Sequence, residues 1–313
     1  MPTNKLSMSE LSNMPEVVTM PEANNVNVRP TLLELNQSNL KHYIIASYSA
    51  STAQEIYEFS ETSEIEPLYA ESELQEFLSI SPIVARVETK STLFRRLAEG
   101  TPSDFDWSWI LVSVPTSMLF DHLLRQLRSS LTLSFDGARR GVFHFYNPRV
   151  AHYFFGESDP SDTQTWLGEI RQVTWISPSH SPSSGSVCFF DGSAENLDVA
   201  ISKVDTQKVL SPSQQIALER LHDDKIIEGY LSKQSMTHCD AQQWKRYRKL
   251  YILSENLNIS QPDDIAQFFQ LCDHYGTQPK NIEHLMHLKP LDSSSKFHAL
   301  EQKMIEDKHY VGE

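Results

Sequence analysis

At 313 residues, with 39% apolar and 22% charged side chains, the sequence exceeds the usual size of one hydrophobic core and is far from a disordered composition, so two packed lobes are expected. Its 27 Lys and Arg stand against 41 Asp and Glu, and a formal charge of -14 argues against nucleic acid and anionic membrane as general partners. Cys188, Cys239 and Cys272 are odd in number and far apart, which suits a reducing cytoplasm better than a disulfide framework or a zinc knuckle.

Residues 1–29 are polar, aperiodic and interrupted by Pro2, Pro15 and Pro21, and read as a mobile tail without a secretion signal. No run of about 18 apolar residues occurs, so no spanning helix is expected. From Pro30 short apolar runs alternate with amphipathic segments: Tyr43 to Ala46, Ala53 to Phe59, Pro67 to Tyr69, Leu74 to Leu78 and Ile83 to Val87. This predicts an α/β lobe over 30–205, a mixed sheet with flanking helices. Trp109-Ile110-Leu111-Val112 reads as a central strand covered on both faces. Leu119, Phe120, Leu123, Leu124 and Leu127 share one arc of a helix packed on that sheet. Leu131 to Phe135 and Val142 to Phe145 then suggest a hairpin with a long loop through Arg139 and Arg140. In Phe145-Tyr146-Asn147-Pro148-Arg149, Asn147 suits a helix cap and Pro148 the first helical position, predicting a strand-to-helix switch. Trp166 to Ile176 and Ser186 to Phe190 are further expected strands.

Beyond Leu210 the pattern is helical, predicting a mostly α-helical C-terminal lobe over 206–313. The apolar arc that starts at Ala217, Leu218 and Leu221 moves to another side by Ile226, Ile227, Tyr230 and Leu231; a bend near Asp223-Asp224 or contact with two neighbours would explain the shift. Trp244, Tyr247, Leu250 and Tyr251 face one core. Ile265, Phe268, Phe269 and Cys272 form the apolar face of another helix, opened by a capping-box pattern at Ser260-Gln261-Pro262-Asp263.

Chemistry is sparse along this chain. Ten glycines, where average usage of about 7% gives roughly twice as many, form no phosphate-cradling loop, and Gly-x-Ser-x-Gly is missing. Glu283, His284 and His287 lack a third metal ligand, His238-Cys239 carries no spatial information, and Asp104 with Asp106 reads as loop solvation. No catalytic residue, metal or cofactor is therefore assigned. Arg139, Arg140 and Arg149 are candidate anion grips, with a salt bridge from helix to sheet favoured for Arg149. Lys245, Arg246, Arg248 and Lys249 fall opposite the aromatic arc and should face water, where they could dock an acidic partner segment or, less readily, nucleic acid.

In order, Tyr43-Ile44-Ile45, Pro67-Leu68-Tyr69-Ala70, Ser81-Pro82-Ile83-Val84, Trp107-Ser108-Trp109-Ile110-Leu111 and Val142 to Val150 resemble the type VI secretion effector adaptor/chaperone family (Tap/TEC type) over residues 43–176. Phe145, Tyr146, Asn147 and Pro148 belong to its most recognisable motif. Two departures weigh against a carboxylate active site: Ser47 lies near a position where the family often has Asp, and Asn147 stands where it has Asp before Pro-Arg. The resemblance implies a cytoplasmic, non-enzymatic adaptor that binds a toxic effector and hands it to the VgrG spike protein; by their charge, Arg139, Arg140, Arg149, Arg246 and Arg248 are the candidate partner-binding residues. The oligomeric state stays open. The rival is an α/β enzyme, a hydrolase or transferase with an unrecognised site.

Overall fold

Alternating side-chain direction along the strands builds a sheet covered on both faces. The structure, a computed structural model, describes residues 27–29, 32, 39–99, 104–135, 139–178, 185–192, 208–234, 239–276, 297–302 and 304–305. Its strands are β1 (Asn27–Arg29), β2 (Leu40–Ala46), β3 (Ile65–Pro67), β4 (Ile83–Val87), β5 (Trp109–Pro115), β6 (Thr132–Phe135), β7 (Arg139–Val142), β8 (Gln172–Ile176) and β9 (Val187–Asp191). All but β6 and β7 join one sheet in the order β1-β9-β8-β5-β2-β4-β3, which puts β5 at the centre. Trp109 to Val114 are all buried, as the unbroken apolar run predicts for a strand with no wet face. Each pair in this sheet is antiparallel, and parallel pairing occurs at the isolated bridge between Ser134 and Val209.

The two faces carry separate apolar clusters. Ile44, Ala46, Trp109 and Leu111 point to the face covered by α1 (Thr52–Phe59) and α2 (Thr92–Glu99), where they meet Ile56, Leu93, Phe94 and Leu97. Tyr43, Ile45, Ile110 and Val112 point the other way, towards α3 (Phe120–Arg128), α4 (Pro148–Gly156) and α5 (Pro160–Leu167). Full burial of each large apolar side chain contributes about 1.5–3 kcal/mol, so two covered faces give this strand order a strong preference over a register slip.

Helix α4 is covered on two sides. Ala151 to Gly156 are all buried, between the strands β5, β8 and β9 and the long helix α6 (Pro212–Lys233). Helix α6 begins with a capping box between Ser211 and Gln214 and runs unbroken through Asp223-Asp224. Contact with two neighbours, not a bend, accounts for its moving arc. Leu218 packs on the sheet lobe, whereas Ile227, Tyr230 and Leu231 join Trp244, Tyr247 and Leu250 of α7 (Ala241–Asn256) and Phe268, Phe269 and Cys272 of α8 (Pro262–His274). The α/β lobe with flanking helices and the mostly helical region after it are both present.

Several local expectations are corrected. Asn27–Arg29, inside the expected tail, pair with β9. Arg139 and Arg140 lie in β7, opposite Phe135 and Ser134, so the hairpin loop is shorter than expected; Phe145 and Tyr146 occupy a turn, not a strand. Trp166 and Leu167 are helical because Asp159 caps α5 with Pro160 in its first turn, and Gly168, at φ 57, ends it. Helix α8 takes Gln261 as its N-cap without a side-chain bond, so the expected box at Ser260 does not form. Residues 1–26, the 205/206 boundary, His238, Glu283, His284 and His287 lie outside the described residues.

Candidate functional site

The motif around Asn147 turns the chain from the hairpin into α4. Asn147 Oδ1 accepts from the amides of Arg149 at 2.9 Å and Val150 at 3.4 Å, with Pro148 in the first turn. Phe145 is buried against Trp166, their ring centroids 5.2 Å apart. The Tyr146 hydroxyl lies 2.7 Å from that of Tyr69 and 2.6 Å from His144 Nδ1. Burial, then the bond to Tyr69, pushes the Tyr146 phenol up, and burial lowers His144. These side chains tie the turn to the segment after β3 and to the core.

From Arg149 onwards α4 presents a polar stripe, Arg149, Tyr153 and Glu157, spaced four residues apart and hence on one face. Helix α6 presents the reverse set, Glu228, Asp224 and Arg220, at the same spacing. The two stripes meet antiparallel. Arg149 pairs with Glu228, the Tyr153 hydroxyl donates to Asp224, and Arg220 Nη1 lies 3.2 Å from Glu157 Oε2. Asp224 is only 1% exposed and takes a second partner from α7: Arg248 Nε donates to Oδ1 at 2.7 Å and Nη2 donates to Oδ2. Bidentate pairing of this kind is what permits a carboxylate so far from water.

The electrostatics follow from this burial. Desolvation, then the charge of Asp224, drives the Tyr153 phenol far up, so it remains a donor. Desolvation opposes the charge on Arg248, but Asp224 overcomes it and holds the guanidinium above its ordinary value. Burial raises Glu157, with Arg248 and Arg220 pulling the other way. Beside this joint a cleft of about 160 Å³ opens between α6 and α7.

The arginines singled out in the sequence do not form one patch. Arg149 reaches α6 instead of the sheet, and its Nε and Nη2 have no hydrogen-bond partner among the described residues. Arg248 enters the same joint from α7. Arg246 pairs with Asp273 at 2.6 Å, where Tyr230 and Tyr247 also donate at 2.6 and 2.9 Å. Arg246 and Arg248 thus turn inward to carboxylates, correcting the expectation that all four cations of this helix face water; Lys245 and Lys249 do face it. Arg140 holds Glu73 at 2.6 Å on the surface, and the side chain of Arg139 lies outside the described residues. Asp106 accepts from Ser49 and Ser51, joining two loops. Cys272 is fully buried and its thiol is pushed up to about 12 by burial. No metal-ligating cluster occurs among the described residues.

Sequence reasoning missed Tyr153, Glu157, Arg220, Asp224 and Glu228. One signal was available: Asp224 sits three residues after Leu221 and three before Ile227, placing a carboxylate among buried apolar positions of its helix.

Residues 42–165, from β2 through α4 into α5, match the family model described as Domain of unknown function (DUF4123). The chain contains a DUF4123 domain. This DUF4123 domain is of the Tap/TEC type, in agreement with the resemblance drawn over 43–176. No curated protein and no solved structure matches the chain. The DUF4123 match includes the α4 stripe, whereas its partners on α6 and α7 come from the helical region beyond it. No helix among the described residues is long and apolar enough to cross a membrane.

Proposed function

We propose that this protein is a cytoplasmic, non-enzymatic adaptor that binds a specific type VI secretion effector and loads it onto the VgrG spike. The DUF4123 match carries this reading. Its support in the geometry is that the motif residues act as scaffold: Asn147 caps, Tyr146 and Phe145 anchor, and Arg149 fastens α4 to α6. The DUF4123 domain also offers apolar contact surface. Phe77, Leu78 and Ile80 stand exposed on the 3-10 helix Gln75–Ile80, which buries none of its residues. Capture of this protein from a cell expressing the secretion system should recover one large toxin together with VgrG, and deletion of its gene should stop delivery of that toxin alone. Recovery of neither, with the apparatus expressed, would overturn the assignment.

A further inference from the structure

The cleft between α6 and α7 has a composition unlike the rest of this acidic surface. Its wall includes Ile227, Tyr251 and Ile252, and Ile252 is 57% exposed although it lies beside the apolar core. Lys245 and Lys249 stand one turn apart on α7 along the same rim, exposed, with no ion pair among the described residues. The acids that line the cleft are engaged, and Glu219 and Glu255 lie near Asp223 outside that lining. Asp224 is held by Arg248 and Tyr153, Glu157 by Arg220, and Asp223 by the Tyr251 hydroxyl. Two ammonium groups without an ion pair among the described residues therefore stand beside an exposed isoleucine.

We propose that this cleft docks an acidic, amphipathic segment of a partner protein, with an apolar side chain against Ile252 and Tyr251 and carboxylates on Lys245 and Lys249. The inference rests on the adaptor reading and deepens it. Size supports a peptide over a small molecule. At about 160 Å³ the cleft is well below the roughly 300–1,000 Å³ of small-molecule sites and suits one or two anchoring side chains. Charge supports a peptide over nucleic acid. Two lysines in a chain of charge -14 give a weak phosphate track, whereas a short acidic segment needs only local complementarity within a Debye length of about 8–10 Å.

The test uses the full chain and a fluorescein-labelled amphipathic helical peptide with Leu on one face and Glu on the other. A Lys-for-Glu version and a single-stranded DNA oligonucleotide are the alternatives. Anisotropy should show binding of the acidic peptide alone, weakened by added salt and reduced about tenfold or more by K245E/K249E and by Ile252→Glu. Lys245→Ala with Lys249→Ala, which keeps good helix formers, should weaken it in the same direction if the charge reversal unfolds the helix. No binding of the acidic peptide up to about 1 mM, equal binding by the lysine variants, or preference for the basic peptide or the DNA would overturn the proposal. Capture of toxin and VgrG by the wild-type chain reads the adaptor assignment separately. Its success beside a failed peptide assay removes the cleft alone, and its failure beside a lysine-dependent peptide assay removes the adaptor role alone.

Discussion

Replacing Asn147 by Ala removes the oxygen that accepts from the amides of Arg149 and Val150, leaving two donors at the start of α4 without that acceptor. A loss of about 1 kcal/mol in urea unfolding is expected, with Asp at the same place costing little because it caps equally well. The cap was legible because capping depends on residues two or three apart. Lys208 was not, since its environment comes from Trp166: its ammonium lies 4.2 Å from that ring and 2.5 Å from the Trp166 carbonyl. Burial lowers its pKa from 10.5 to about 7. Between those values the unfolded chain binds a proton that the folded chain lacks, so stability rises with pH across the window; the cost of the buried charge is fully present below it. The stability of wild type relative to Lys208→Met should therefore improve between about pH 6 and pH 9. Solvent screening limits that gain to the order of 1–2 kcal/mol, measurable by urea unfolding at both pH values.

Among the elements, α6 decides most. Its sequence announced helix beyond Leu210, but left open whether the moving apolar arc meant a bend or two neighbours, because periodicity records which faces are buried and not what covers them. Gly229 lies inside this unbroken helix, and a Cβ there would meet nothing within 4 Å. Gly229→Ala should stabilise the protein by about 0.5–1 kcal/mol, read as a higher midpoint in thermal unfolding. A loss instead would show that the helix is not regular there. The Trp166 to Ile170 segment misled for a related reason. Its apolar residues suit a strand as well as the last turn of a helix, and the choice lies with Asp159 and Pro160 upstream and Gly168 downstream.

Across the whole molecule, Asp224 joins three helices drawn from both regions of the chain. Asp224→Ala would leave Arg248 and the Tyr153 hydroxyl without their shared acceptor, a loss of about 3–5 kcal/mol for one half of a buried pair. Calorimetry should then resolve separate unfolding of the sheet lobe and the helical region where the wild type unfolds in one transition. Replacing Asp224 and Arg248 together by Leu and Met should recover part of the loss, because apolar groups of similar size need no partner. From the sequence alone came the elements set by near neighbours: the central strand, the amphipathic helices, the Asn147 cap and the change to helix after Leu210. Tertiary structure alone decided that Arg149, Tyr153 and Glu157 face Glu228, Asp224 and Arg220, and that Arg248 turns inward. Those partners stand up to 79 residues apart by their numbering, from Arg149 to Glu228. Each stripe repeats every four residues and is local, but which stripe meets which is set by how α4 and α6 pack, which no periodicity within a single helix encodes.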